Sequence, residues 1–427
     1  MGLSKTAWRV VGALVVVALA VIAVHLWRSE ERSRLAAAEA TQAGSRSGTG
    51  AAKAGGLSID ELIARGSQAP DVQAAIDRAK PYQTEVCGRG TVTVDPASDR
   101  NPPAISELLQ RGGVLAGQMG TTMATDGSPA RRAIGLRLLI ASELDAADSP
   151  FSPTGCETEA CKERRKRFVP PSLTRLVNLA RDSENPLAYR QALVMCDRFR
   201  GPAPCDTLTW LRYTELAPDH LDGWLWLAQQ RATQGDAAGA QVAMTRAAAA
   251  RNSQAMLYDF RRGTAELPLM QSDGFDRAAL TLLVYGVDAA EYFAPIGIVT
   301  SHCAAAAIRD PVRAAECEQL GRRLNESDAV LFVMIGHRIG ERLARSPEAA
   351  KALERERLEL GAALTKAGPE MSEQSQFSCD GTRRAAEHLS RIAQEGEAAF
   401  ARRVLAEQRA KAGQAGTSPL ATPGAAR

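Results

Sequence analysis

An apolar segment near the N-terminus is the feature that most constrains this chain. From Trp8 to Trp27 the sequence reads WRVVGALVVVALAVIAVHLW, with no charged residue between Arg9 and His25. A helix of this length is about 30 Å long, which matches the hydrocarbon thickness of a bilayer. The two tryptophans lie where membrane proteins place aromatic side chains, at the lipid–water interfaces. We therefore expect residues 8–27 to form a transmembrane signal-anchor helix, with the lipid bilayer as its partner.

A cleaved signal peptide is the alternative for this segment. Lys5 and Arg9 give it a positive start, and Ala18-Leu19-Ala20 resembles a small-x-small cleavage site. The apolar run continues past that site and is longer than a usual signal-peptide core, which favours an uncleaved anchor. Arginines also follow the segment, so the positive-inside rule does not decide its orientation.

The composition predicts helices for the rest of the chain. Of the 427 residues, 45% are hydrophobic and only 5% aromatic, and alanine-rich sequence of this kind suits closely packed helices better than sheets. The net charge of +3 gives no reason to expect nucleic acid. We expect an all-α fold, with at most one short β element near residues 91–94 after Cys87-Gly88-Arg89-Gly90.

Changes in composition divide the chain. Residues 28–56 and 413–427 are rich in Ala, Gly and Ser and have too few large apolar groups to offset the entropy of ordering them. The predicted organisation is an N-terminal cytoplasmic flank (1–7), the anchor (8–27), a flexible linker (28–56), an N-terminal helical region (57–184), a pair of repeats (185–254), a C-terminal helical region (255–412) and a disordered tail (413–427).

Several capping signals predict where helices begin and end. They place a capping box at Ser58–Glu61, helices near 104–123 and 129–146, a helix start at Asp310-Pro311, a helix from Ser346-Pro347-Glu348 to Gly368-Pro369, and one long final helix after Asp380-Gly381 that includes Leu389, Ile392, Phe400 and Val404.

Residues 221–254 carry a repeat signal. Trp224, Leu227 and Ala228 share one helical face, Gly235-Asp236 breaks the chain, and small residues follow on a second helix. This segment resembles a tetratricopeptide repeat, although Arg231 stands where that family usually has an aromatic residue. A degenerate repeat with helices near 186–199 and 205–217 precedes it, so that the resemblance is clear over residues 187–254. A generic helical bundle is the alternative.

The resemblance implies which residues contact a partner. In the tetratricopeptide-repeat family the first helix presents its non-core side to a concave groove that binds protein or peptide. In this sequence the corresponding groove residues are Asp222, Leu225, Gln229 and Ala232, whereas Trp224 and Leu227 are expected in the core.

The eight cysteines predict disulfides in an oxidising compartment. Cys303 and Cys317 each lie seven residues from the helix break at Asp310, and Cys196 and Cys205 lie on either side of Gly201-Pro202, so an antiparallel helix pair would bring each pair together. Cys156 with Cys161 is a third candidate pair, which leaves Cys87 with Cys379 by elimination. The alternative is buried free thiols in a cytoplasmic protein.

Catalytic and metal-binding patterns are weak in this sequence. It has no Cys-x-x-Cys pair and no histidine spacing typical of metal ligands, so we expect no metal and no cofactor. Ser301-His302-Cys303, and Cys379 with His388, are candidate nucleophile–base pairs, but sequence neighbours rarely form a triad. The basic run Lys162–Arg167 is typical of a solvated helix face.

These observations predict a non-enzymatic, membrane-tethered helical scaffold that binds an unknown protein or peptide. The Ala- and Arg-rich composition indicates a bacterium, which would place the anchor in the inner membrane and the main domain in the periplasm. Two alternatives stay open: an envelope hydrolase whose acid and base are distant in sequence, and a structural envelope component without a specific ligand.

Overall fold

The computed structural model describes residues 81–95, 98, 101–145, 168–199, 204–254, 259–289, 295–367 and 375–416. The predicted anchor, the linker, the capping box at Ser58–Glu61, the basic run and the Cys156–Cys161 pair lie outside these residues. Within them, no helix combines the length and the apolar character that crossing a bilayer requires.

A β-hairpin opens the described part of the chain. Its strands β1 (Tyr82–Val86) and β2 (Gly90–Val94) pair antiparallel, with Val86 opposite Gly90. Gly88 and Gly90 adopt φ values of 70° and 78°, which glycine tolerates and other residues rarely do. The expected element near 91–94 is β2. Its partner β1 was missed, because a single half-buried strand pairs through its backbone and leaves a weak sequence pattern.

Helices make up most of the remaining described residues. They are α1 (Pro103–Met123), α2 (Pro129–Asp145), α3 (Pro171–Ser183), α4 (Pro186–Phe199), α5 (Trp210–Leu216), α6 (Leu221–Thr233), α7 (Ala237–Ala249), α8 (Asp259–Ala265), α9 (Phe275–Ala289), α10 (Ile296–His302), α11 (Pro311–Asn325), α12 (Val330–Leu343), α13 (Pro347–Ala367), α14 (Cys379–Glu395) and α15 (Glu397–Gly416). The described fold is thus mainly α-helical, with one two-stranded sheet.

Local capping explains several of these helix boundaries. The Asp310 side chain accepts a hydrogen bond from the backbone N–H of Val312, so α11 begins where the sequence predicted. The expected long final helix is wrong, because α14 and α15 are separated at Gly396. That residue has a φ of 82°, and an added Cβ there would lie 2.9 Å from the Cβ of Asp328.

Sequential helix pairs pack against each other, and the chain then returns to its beginning. The pairs α1–α2, α3–α4, α6–α7 and α11–α12 are all in contact, whereas α9 packs against α1, and α14 packs against both α8 and α9. One apolar core therefore combines β1, α1 and α2 with α8, α9 and α14. It joins residues from the predicted 57–184 and 255–412 regions, so the C-terminal helices complete the N-terminal core.

Three disulfides connect these elements. Cys87 in the hairpin turn is bonded to Cys379 at the start of α14, across 292 residues of sequence. The Cys196–Cys205 and Cys303–Cys317 bonds close loops with sequence separations of 9 and 14, and their Cα–Cα distances are 5.5 and 5.7 Å. These pairs coincide with three of those proposed from the sequence.

Candidate binding cleft

A cleft of about 260 Å³ opens between the α6–α7 turn and α10. The side chains that line this cleft are mainly small and do not fill it. Gly235 makes the turn with a φ of 80°, and the Asp236 side chain then caps α7 by accepting from the backbone N–H of Gly239, 2.8 Å away. The residues that line the cleft are Ala232, Gly235, Ala237, Ala240, Gln241, Met244, Ile298 and His302.

Glu316 on α11 connects the two sides of the cleft. Its carboxylate accepts hydrogen bonds from the Thr245 hydroxyl at 2.5 Å and from the Gln241 amide at 3.1 Å, both on α7. It also accepts from Nε2 of His302 on α10, at 2.9 Å. The carboxylate therefore holds three helices in place, and we call Glu316, His302, Gln241 and Thr245 the cleft network.

His302 uses both of its ring nitrogens inside the protein. The Arg313 guanidinium lies 2.5 Å from Nδ1. Because a guanidinium only donates, Nδ1 must accept, which leaves the ring proton on Nε2 for the bond to Glu316. An imidazole engaged on both sides has no free nitrogen with which to take a proton from a ligand, so His302 positions the cleft wall.

The pKa values agree with this assignment. Burial lowers the pKa of His302, and Arg313 adds to that effect, against the opposite influence of the bond to Glu316. Burial alone would raise the pKa of Glu316, but the hydrogen bonds from Thr245, Gln241 and His302 outweigh burial and lower it. A neutral imidazole thus donates to an ionised carboxylate near neutral pH.

Two aliphatic side chains on α7 and α11 are strongly exposed. Val312 is 78% exposed and Val242 is 61% exposed, the highest values among the exposed large apolar side chains of the described residues. Val242 lies on α7 and Val312 on α11, and neither side chain lines the cleft.

The structure places the predicted groove residues differently. Asp222 and Leu225 are 3% and 1% exposed, so the prediction that they contact a partner is wrong. Asp222 pairs with the buried Arg190 of α4, Leu225 belongs to the apolar core, and α5 and α10 also pack against α6. Ala232 does line the cleft, and Gln229 is half-buried and bonds to Thr233.

The two residues of α6 that we expected in the core, Leu227 and Trp224, differ in burial. Leu227 is buried, with 5% of its surface exposed. Trp224 is only partly buried, and its Nε1–H donates to the carbonyl of Pro218 at 2.7 Å. An indole with a polar partner at the edge of a helix packs there rather than in the interior.

The sequence suggested Cys303 and Cys379 as candidate nucleophiles. Cys303 and Cys379 are both disulfide-bonded, so neither is a thiolate in this form of the protein. His388 packs edge-on against Phe400, and burial lowers its pKa to about 4, with Arg261 and Arg391 contributing. No group of His, Cys, Asp or Glu among the described residues has an arrangement that could hold a metal ion.

The sequence offered one unused signal for the cleft network. His302 and Glu316 directly precede Cys303 and Cys317, so a bond between the two cysteines also brings the histidine beside the carboxylate. Gln241 and Thr245 have no such signal, because they reach Glu316 only through the packing of α7 on α11.

Comparisons with protein-family models, with curated proteins and with solved structures return no match to this chain. The cleft is therefore interpreted from its own chemistry.

A second polar cluster lies at the opposite end of α6. The Nε of Arg190 on α4 pairs with Asp222 at 3.1 Å, and both side chains are at most 4% exposed. Arg262 on α8 bonds to Asp259 at 2.9 Å and also pairs with Asp328, which lies between α11 and α12. We call these five residues the junction, since they connect four parts of the chain.

Proposed function

We propose that this chain is a membrane-tethered helical scaffold of the bacterial cell envelope that binds a protein segment in the α6–α7–α10 cleft. In this proposal residues 8–27 anchor the chain in the inner membrane, and the helical domain lies in the periplasm. The α4–α5 and α6–α7 pairs would be tetratricopeptide-like repeats, the first of them degenerate.

The cleft carries the proposal. Its walls are Ala, Gly, Met and Ile side chains, and its polar rim consists of Gln241 and His302. A pocket of about 260 Å³ with such walls accepts one or two aliphatic side chains of a partner rather than a large cofactor.

Oxidising surroundings fit the same proposal. The six cysteines among the described residues are all paired, and disulfides persist in the periplasm but are rare in the reducing cytoplasm. Mass spectrometry of the unreduced protein from cells tests this step. A full-length chain with a C-terminal reporter tests the topology, and a reporter active only on the cytoplasmic side would contradict the proposal.

The cleft itself is tested by filling it. Ala232 is exposed at the rim, so Ala232→Trp should block the cleft without disturbing the core. Ala238 is exposed on α7 and does not line the cleft, which makes Ala238→Trp the matched control. We expect cross-linking in envelopes to capture the same partner with the wild type and with Ala238→Trp, and to lose it with Ala232→Trp. A partner set that Ala232→Trp leaves unchanged would argue against this site.

A further inference from the structure

A second cleft, of about 320 Å³, opens where the end of α1 meets α2 and α3. Arg132 in the first turn of α2 and Arg175 on α3 both line it. Leu136 and Leu179 form an apolar wall beside the two guanidinium groups, and Asp182 lies at the rim.

Neither arginine has a side-chain partner among the described residues, in contrast to Arg131. Arg131, adjacent in sequence, pairs with Asp126 at 3.4 Å. The Nε–H of Arg132 is buried and has no acceptor. Because no described side chain engages either guanidinium, the N–H donors that face the cleft remain available to a ligand.

The chemistry of the lining selects the acceptor. Guanidinium groups present forked donors that match the two oxygens of a carboxylate or a phosphate. Asp182 is the one acidic side chain in the lining, so two cations face one anion and the cleft carries a net positive charge. The Leu136 and Leu179 side chains favour a ligand with an apolar part next to its anionic group.

We infer that this cleft binds an oxyanion, a carboxylate or a phosphate monoester, attached to a small apolar body. The inference does not depend on the α6–α7–α10 cleft. Two sources carry this chemistry: a free small molecule and the headgroup of an anionic lipid. The shared recognition is the pair of guanidinium groups, and the experiment distinguishes the sources.

Hexyl phosphate and hexanoate are the probes for a free ligand, measured by calorimetry on the full-length chain in detergent. Arg132→Gln and Arg175→Gln should each weaken binding about tenfold or more, because each removes a charge-assisted hydrogen bond. Arg181→Gln is the control, since Arg181 is exposed on the same helix and does not line the cleft. Asp182→Asn should strengthen binding by removing the competing negative charge.

Vesicles test the other source. If vesicles containing phosphatidic acid bind the chain, phosphatidylcholine vesicles do not, and Arg132→Gln weakens the binding while Arg181→Gln does not, the ligand is a lipid headgroup. If the hexyl probes bind with the same pattern of variants, the ligand is a free small molecule. The inference is overturned if neither probe class binds at millimolar concentration, or if Arg181→Gln weakens binding as much as Arg132→Gln. If the ligand-free variants unfold at the same temperature as the wild type, a loss of binding does not come from a loss of folding.

Discussion

The junction and the cleft network each surround a carboxylate with helices that are distant in sequence, yet the two carboxylates titrate in opposite directions. Asp259 and Glu316 are similarly shielded from water, with side chains 15% and 11% exposed. Burial raises the pKa of Asp259 to about 6, whereas the pKa of Glu316 is lowered. Exposure alone therefore does not set the charge state in this protein.

The surroundings of the two carboxylates explain the difference. Asp259 lies deeper among protein atoms and accepts a hydrogen bond from Arg262, while nearby Asp222 opposes its ionisation. Glu316 accepts from three different side chains. In the junction three carboxylates face two guanidinium groups, so protonation of one carboxylate balances the five named charges. The junction therefore has one carboxylate more than its guanidinium groups neutralise, and we call this excess its charge conflict. The carboxylate of the cleft network is instead stabilised by its three hydrogen bonds.

The largest effect is expected from breaking the buried pair of the junction. Asp222→Ala removes the carboxylate that pairs with the Arg190 guanidinium, which is 1% exposed. Removing one partner of a buried ion pair costs about 3–5 kcal/mol of the free energy of unfolding. Urea denaturation of the variant and the wild type measures the loss.

Asp219→Ala is the matched control for this experiment. Asp219 pairs with Arg251 on the surface, where the two side chains are 53% and 76% exposed. Water solvates Arg251 when its partner is removed, so the control should lose far less stability. Equal losses in the two variants would show that the Arg190–Asp222 pair is no more important than a surface pair.

The charge conflict predicts that Asp259→Asn stabilises the protein at neutral pH. The pKa of Asp259 is about 6 in the fold and 3.8 in the reference state, so the fold binds this proton more tightly. Its contribution to stability is complete below pH 3.8 and is lost as the pH rises through 6. At pH 8 the neutral Asn should therefore gain up to about 3 kcal/mol over the wild type, and near pH 4 the gain should vanish. If the difference in stability between Asp259→Asn and the wild type does not change with pH, the titration of Asp259 is not its cause.

In the wild type, the titration of His388 should offset the pH dependence of stability that Asp259 produces. Its pKa is about 4 in the fold against an ordinary 6.5, so its contribution to stability is lost as the pH falls from 6.5 to 4. Over nearly the same range Asp259 gains stability on acidification. The stability of His388→Gln should therefore increase as the pH falls from 6.5 to 4, and that of Asp259→Asn should decrease, as chemical denaturation at several pH values can show.

The two regions also differ in how far the sequence predicted them. The cleft arises from local signals: Gly235-Asp236 at the turn, and the helix start at Asp310 with a cysteine seven residues to either side. A disulfide at a helix corner is a short-range geometric problem, so spacing was enough to pair Cys303 with Cys317.

The junction has no comparable signal. Asp222, Asp259 and Asp328 are separated by dozens of residues and meet only because α8 packs between distant parts of the chain. The same long-range packing made the groove prediction wrong, because Asp222 pairs with Arg190 of α4 and Leu225 belongs to the apolar core. The break at Gly396 was missed for a different reason: the amphipathic pattern continues through a glycine whose φ the sequence does not specify.

Removing the disulfide beside the cleft should affect stability and binding together. The Cys303–Cys317 bond closes a loop with a sequence separation of 14, for which chain entropy predicts about 3 kcal/mol. Cys303→Ala with Cys317→Ala should lose that amount and also release α10 from the cleft wall. The control is Cys196→Ala with Cys205→Ala, where a separation of 9 predicts about 2.5 kcal/mol. Thermal and urea unfolding measure both losses, and only the first double variant should also lose the cross-linked partner.

The smallest effect is expected at Glu316, and it tests the network from the inside. Glu316→Ala leaves donors on Thr245, Gln241 and His302 without their acceptor, which should cost about 1–3 kcal/mol. Glu316→Gln keeps the shape and an acceptor oxygen, so it should cost less.

Both variants remove a negative charge that raises the pKa of His302, so NMR titration of the imidazole should give a lower pKa than in the wild type. Glu318→Ala, which removes an exposed side chain of the same helix, should leave that titration unchanged. If His302 titrates identically in Glu316→Gln and in the wild type, the carboxylate does not hold the imidazole, and the cleft wall is positioned by packing and the disulfide alone.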